Sequence, residues 1–205
     1  MRDVKEPQVR RAEIMEASLL LFLEKGYMDT TTQDIINKVG ISRGLLYYHF
    51  KNKDDILYCL IELYSEPLLK KLSVIAYAND VSAIEKIKNF LTVTFISPDT
   101  ITKEKIELQK AVDLEQNRYL MDKFSHKFID SVTKYFAYII EQGVSEKSFN
   151  VAHPNETSYL LMTGYVFTAN SMNSSYLNEQ NGDNYLSAFK ELLTRTLGAK
   201  QGIFN

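Results

Sequence analysis

The chain has 205 residues, a single cysteine (Cys59), and 24 basic against 26 acidic side chains, a formal net charge of −2. That length can bury a sizeable core in one or two domains, the lone thiol excludes an internal disulfide framework, and the near-neutral charge excludes a uniformly basic nucleic-acid coat. Affinity for a polyanion must then be local. Residues 1–53 hold nine Lys and Arg against seven acids (+2), while the remaining 152 hold 15 against 19 (−4), so the basic surface gathers at the N-terminal end. The opening MRDVKEPQVRR is charged without an apolar core, and a purely apolar run such as 56–61, which no other exceeds in length, is far short of a membrane span. These features imply a soluble, unexported chain of the reducing cytoplasm, with no membrane partner. No cluster of Cys and His has zinc-ligand spacing, so neither a metal nor another cofactor is expected.

Pro7 suits the first turn of a helix over about 7–25, with Ile14, Ala17, Leu21 and Phe22 on its apolar face and Gly26 as its stop. Thr31 can N-cap a second helix, Asp34 three residues on completes a capping box, Ile35, Ile36 and Val39 form an apolar face, and Gly40 ends it. Ser42 can cap a third helix to about Phe50, in which Leu46 and Phe50 at i and i+4 point inward and Arg43, Tyr48 and His49 point elsewhere. A fourth helix starts near Lys53, with Asp54 and Asp55 in its positive first turn and Ile56, Leu57, Leu60, Ile61 and Tyr64 inward. Pro67 predicts a kink or restart in it.

Asn79 and Asp80 mark a turn before a fifth helix from Ser82 to about Ile96, and 97–99 is a second break. A sixth helix covers about 102–115. A seventh, about 118–142, is strongly aromatic and ends at Gly143. A polar linker at 144–153 leads to Pro154, which can open an eighth helix to about 173. Residues 176–184, rich in Asn with Gly182, read as a loop before a ninth helix from about Asp183 to Leu197.

The pair of short helices at 31–53 (TTQDIINKVGISRGLLYYHFKNK) around a tight turn is a helix-turn-helix, which lays its second helix in the DNA major groove. Around it, Ile14, Ala17, Leu21, Phe22, Gly26, Tyr27, Thr30, Thr31, Asp34, Ile35, Gly40, Ile41, Ser42, Leu46, Tyr47, His49, Phe50, Lys53, Ile56 and Leu57 follow in register the pattern I-x-x-A-x-x-x-L-F, G-Y, T-T, acid-I, G-[IV]-S and L-Y-x-[HY]-F-x-x-K-x-x-[IL]-L. On these residues the first 57 positions resemble the tetracycline-repressor-like family of bacterial regulators. The chain departs from the pattern at Ile36, where a small alanine is usual, and at Leu45, where threonine is frequent. The segment 143–149, GVSEKSF, is also similar to the family's link between its seventh and eighth helices.

The resemblance implies an all-α, nine-helix, two-domain regulator: a helix-turn-helix DNA-binding domain at 1–53 and a C-terminal ligand-binding and dimerisation bundle at 54–205. It implies a homodimer that binds a palindromic operator, most simply as a repressor, and is released when a small, largely apolar effector enters the second domain. The residues assigned to double-stranded DNA are Thr31, Thr32, Gln33, Arg43, Gly44, Tyr47, Tyr48, His49 and Lys53. Arg43 has the donor fork for guanine, or equally for a phosphate. Gly44 would let the helix approach the bases. Tyr47 matches a phosphate-contacting position, Thr31 and Thr32 with the first amides of their helix would clamp a phosphate unless Thr31 serves only as the cap, Gln33 could reach a phosphate or base edge, and Lys53 matches the family's phosphate lysine. Arg10, Arg11 and the arm with Arg2 and Lys5 are further candidates for nonspecific contacts.

The eighth and ninth helices are the expected dimer interface, with Gly164, Ala169 and Ser171 allowing close approach and Phe189, Leu192 and Leu193 as anchors, although the same residues would serve an internal core. Aromatics of the fourth to eighth helices, Tyr64, Tyr77, Phe90, Phe95, Phe124, Phe128, Phe136, Tyr159, Tyr165 and Phe167, could line an effector cavity with Thr163 or Asn170 as polar contacts. Catalysis finds little support: none of His49, His126 and His153 follows a Glu by three residues, and neither a Gly-rich phosphate loop nor a nucleophile elbow occurs. A regulator that activates, or that recruits a protein partner, fits the same residues.

Overall fold

The computed structural model describes residues 6–94, 118–172 and 179–204. Among them the regular elements are all helices: α1 (Pro7–Lys25), α2 (Thr32–Val39), α3 (Arg43–His49), α4 (Lys53–Tyr77), α5 (Ala83–Thr94), α6 (Arg118–Ser145), α7 (Pro154–Met172) and α8 (Glu179–Thr196). The all-α expectation holds, with eight helices within the described residues. The helix expected at 102–115 and the break at 97–99 lie outside them, as do Phe95 and the side chains of Ala169, Asn170 and Ser171.

The chain forms two compact units whose first boundary falls between Ser65 and Glu66, inside α4. In the first unit, α1, α2 and α3 pack on the opening half of α4. Ile14, Phe22, Ile35, Leu46, Phe50, Ile56 and Leu57 form its core, each no more than 4% exposed. Burying side chains of this size is worth about 1.5–3 kcal/mol apiece, enough to hold short helices that would not persist alone.

The second unit is built from the rest of α4, from α5, from α6 beyond residue 124, and from α7 and α8. Phe90 and Phe136 meet edge to face at 5.2 Å within a core that includes Leu72, Ile87, Ile140, Met162 and Leu193. A lysine lies inside this apolar setting. Lys86 donates to the Ala76 carbonyl (2.7 Å) near the end of α4 and to Gln142 Oε1 (2.6 Å) on α6. Gln142 in turn donates to the Val81 carbonyl (2.9 Å), and the Glu146 carboxylate accepts from the Ala83 amide (3.0 Å) at the start of α5. Burial lowers the Lys86 pKa, opposed by Glu146. This polar network ties together the ends of three helices and satisfies a carbonyl that would otherwise be stranded.

Three expectations change. Of the kink or restart expected at Pro67, the restart does not occur: α4 runs on from Lys53 to Tyr77 with Pro67 inside it. Proline removes the bond to the carbonyl four residues back, and that residue, Leu63, is 53% exposed, so water can take the vacant acceptor. α6 does not stop at Gly143 but reaches Ser145. Gly143 is there for packing: a Cβ on it would stand 2.0 Å from the Phe149 ring, which folds back as the Ser148 and Phe149 amides donate to the Gly143 carbonyl (2.9 and 3.0 Å). Finally, α8 begins at Glu179 rather than near Asp183.

Candidate nucleic-acid interface

The geometry begins at the N-terminus of α2. Thr31 is extended (φ −102°, ψ 159°) and its hydroxyl accepts from the Asp34 amide at 3.1 Å, while Asp34 Oδ2 accepts from the Thr31 amide (2.7 Å) and hydroxyl (2.6 Å). This is the expected capping box. Lys25 Nζ also sits 2.7 Å from Asp34 Oδ2. Lys25 first, and Thr31 after it, hold the Asp34 carboxyl well below the usual carboxylate range. Both polar groups of Thr31 are therefore engaged in the cap. Thr32, next along, presents the hydroxyl that remains for other work.

Gly40 closes α2 in the left-handed region (φ 71°), a conformation that favours glycine, and Ser42 Oγ accepts from the Leu45 amide (3.2 Å) to open α3. Leu46 and Phe50, each 2% exposed, fix α3 onto the core. The opposite side is left open: Arg43 and Gly44 are exposed, Tyr47 is 43% and Tyr48 74% exposed. Thr32 first, and Arg43 after it, pull the pKa of the Tyr47 phenol below the ordinary phenol value, and the Arg43 guanidinium lies 5.7 Å from the centre of the Tyr47 ring. α2 and α3 thus bring Thr32, Arg43 and Tyr47 to one place. Gln33 lies exposed on α2 with its amide donating to Asn37 (2.9 Å). His49 is half-buried against Tyr48, and burial together with the charges of Arg11 and Arg10 lowers its pKa, favouring the neutral imidazole at pH 7.

Two groups of cations are placed otherwise than the sequence suggests. Arg10 pairs with Glu13 at 2.8 Å. Arg11 donates to the His49 carbonyl (2.6 Å) and to Cys59 Sγ (2.9 Å), with its guanidinium 4.1 Å from the centre of the Phe50 ring. It therefore caps the C-terminal end of α3 from α1 rather than reaching outward. The periodicity that points Ile14, Ser18 and Leu21 inward includes position 11, and that is the signal by which the sequence could have placed it. Lys53 Nζ lies 2.6 Å from the Tyr27 carbonyl, 3.0 Å from that of Thr30 and 3.4 Å from that of Met28, and 4.2 Å from the centre of the Tyr27 ring. Burial lowers its pKa, opposed by Asp54 and Asp29. Tyr27, 3% exposed, donates its hydroxyl to Asp54, and burial followed by that carboxylate raises its pKa strongly.

The sequence profile described as bacterial regulatory proteins of the tetR family matches residues 14–58, the stretch that builds this arrangement. Over 180 residues the chain is 27% identical to the uncharacterised HTH-type transcriptional regulator YfiR of Bacillus subtilis, covering 85% of this chain and 84% of that one. It is 25% identical over 151 residues to the HTH-type transcriptional repressor KstR2 of Mycolicibacterium smegmatis, covering 70% of this chain and 69% of that one. Among solved structures, the SmeT–triclosan complex shares the fold at a TM-score of 0.63 and 20% identity, covering 97% of this chain and 95% of the other. No helix among the described residues is long and apolar enough to cross a membrane. Residues 14–58, the helix-turn-helix and its supports, are thus matched in profile to the tetR family of bacterial regulatory proteins, and 85% of the chain is similar to a transcriptional regulator.

Proposed function

We propose that the chain is a ligand-responsive transcriptional repressor of the cytoplasm that binds a palindromic operator as a homodimer and is released by a small, largely apolar effector. Residues 1–53 form its DNA-binding part and 54–205 its sensing and dimerising part. The observation that carries the reading is α3: a helix anchored on its inner side by Leu46 and Phe50 and left open on the side that bears Arg43, Gly44, Tyr47 and Tyr48. Such a helix fits a major groove, and two of them on a two-fold dimer read half-sites roughly 34–36 Å apart.

Within that reading Arg43 reads a base edge or grips the adjacent phosphate, and Gly44 lets the backbone come near. Tyr47 and Thr32 hold a phosphate beside the first amides of α2. Gln33, Tyr48 and His49 meet the groove or its rim. Thr31 shapes the site through its cap, and Lys53, engaged with three carbonyls, is considered separately below.

The dimer reading draws support from the outward faces of α7 and α8. Leu160 (75% exposed), Gly164 and Phe167 (42%) recur at i, i+4 and i+7 on α7, and Tyr185 (45%) and Leu192 (49%) at i and i+7 on α8. The effector reading draws on aromatic residues of the second unit. Tyr165, its pKa raised by burial, bonds Thr94 Oγ1 (2.8 Å) and packs 4.5 Å from Phe189, and the buried Thr163 hydroxyl has no partner among the described residues. Other candidates are dispersed: Tyr64 and Phe124 pack in the first unit, and Tyr77, Tyr159 and Phe167 are surface-exposed. KstR2 is named a repressor, and the SmeT structure holds triclosan, a small aromatic compound.

Selection from a random duplex pool with the purified protein tests the reading. Enrichment of a two-fold symmetric site, followed by its release on addition of apolar aromatic compounds, is expected. Failure to enrich any palindrome overturns it.

A further inference from the structure

Lysine at the start of α4 sits where a phosphate contact is expected, yet its ammonium is turned inward. A lysine ammonium has three protons to donate, and Lys53 faces the carbonyls of Tyr27, Thr30 and Met28 with the Tyr27 ring beside them. These carbonyls belong to the short turn between α1 and α2, which ends one residue before Thr31. Tyr27 is itself pinned, its ring edge to face with Phe22 at 5.1 Å and its hydroxyl on Asp54. Leaving this nest to reach a phosphate would give up three hydrogen bonds, two of them part-buried.

Two residues earlier the situation is reversed. Lys51 is exposed, its backbone is fixed by donation to Asp55 Oδ2 (3.0 Å), and its ammonium makes no hydrogen bond or ion pair with the described residues. It follows directly on Phe50, the C-cap of α3. Of the other described cations of the first 53 residues, Lys25, Lys38 and Arg10 are paired with acids and Arg11 caps α3. Arg43 and Lys51 remain.

We propose that Lys53 is a positioning residue, which fixes the α1–α2 turn and with it the Thr31–Thr32 end of α2, and that Lys51 is the lysine that neutralises phosphate at this edge. The inference rests on the DNA-binding reading and changes how its charges are divided. Each phosphate neutralised contributes about −0.9 to the slope of log K against log salt, so the two lysines separate in that slope.

The test uses the full-length protein and the operator selected above. Lys53→Met keeps the apolar stem and deletes the ammonium. It is expected to lower the melting temperature, weaken binding by roughly tenfold or more and leave the salt slope unchanged. Amide exchange at Thr31, Asp34 and Ile35, whose N–H groups are held by the cap and the first turn of α2, should rise more than at the core of α1, a local effect that a general loss of stability would not produce. Lys51→Ala is expected to keep the melting temperature and reduce the slope by about 0.9 per DNA-bound subunit. A reduced slope in Lys53→Met beside a wild-type slope in Lys51→Ala overturns the proposal. If Lys53→Met fails to fold, Lys53→Arg retains the charge but not the compact fit to three carbonyls. Weaker binding at unchanged slope then supports the proposal, and wild-type affinity overturns it. A wild-type protein that enriches no DNA instead sinks the regulator reading itself, an outcome visible before either lysine is changed.

Discussion

At Gly44 the stability of the fold and the proposed DNA contact favour different residues. The glycine is the second residue of α3, it is exposed, and a Cβ built on it meets no atom within 4 Å. Alanine in a helix is favoured over glycine by about 0.8–1 kcal/mol, so Gly44→Ala should raise the melting temperature. The added methyl group nevertheless stands on the side of α3 that carries Arg43 and Tyr47. If α3 approaches base edges closely there, operator affinity should fall by about 1 kcal/mol or more, roughly fivefold, in the stabilised protein. Titration of the selected operator beside a thermal melt separates the two effects, and wild-type affinity would show that the absent side chain is not used for approach. Gly143 illustrates what sequence alone does not tell about such a residue. It reads as a helix stop, but the ring that excludes a Cβ at Gly143 arrives from six residues further on, after the chain has reversed. Lys86 was equally illegible, because its acceptors on α4 and α6 lie 10 and 56 positions away.

Helices were legible wherever their ends carried chemistry of their own. Pro7, the Thr31–Asp34 box, left-handed Gly40 and the Ser42 cap are local devices, and α1 to α3 have the expected bounds. The face a helix turns inward is harder to read when apolar residues occupy both sides. On α8 the expected interface anchors divide: Leu193 is fully buried within its own unit and Phe189 packs on Tyr165, while Leu192 points out. On α7 Met162 is buried and Leu160, two residues earlier, is 75% exposed. The proposed interface is therefore the outer stripe through Leu160 and Leu192, for which hydrophobic periodicity gave no phase. Glutamate at position 160 should be nearly neutral for a lone subunit, within about 0.5 kcal/mol, because the site is on its surface. Across a two-fold interface it would bury an unpaired charge in each subunit, so Leu160→Glu should weaken dimerisation by several kcal/mol, roughly a hundredfold or more in the dissociation constant. Sedimentation over a concentration series measures this, and an unchanged monomer–dimer constant would remove the stripe from the interface.

At the scale of the whole molecule the deciding element is α4, the helix that contributes to both compact units. Their boundary lies between Ser65 and Glu66, and Pro67 follows immediately. The proline was readable as an interruption, but sequence could not show that the helix continues through it, because that depends on the Leu63 carbonyl lying on an exposed stretch. A helix that lacks one hydrogen bond bends more readily there than elsewhere. If the effector acts by pivoting α4 at this point, its influence on operator binding is a coupling free energy, typically ~1–3 kcal/mol. Pro67→Ala restores the missing donor and removes up to about 3 kcal/mol of helix-propensity penalty, so the protein should melt higher. A stiffer α4 should also shrink the ratio of operator dissociation constants measured with and without a releasing compound, by about tenfold if most of that coupling passes through the bend. The two constants are measured for each protein at one salt concentration, since electrostatic affinity would otherwise obscure the ratio. Should operator affinity and release both match the wild type while the melting temperature rises, the proline is a tolerated weakness of the helix and the signal between the units takes another route.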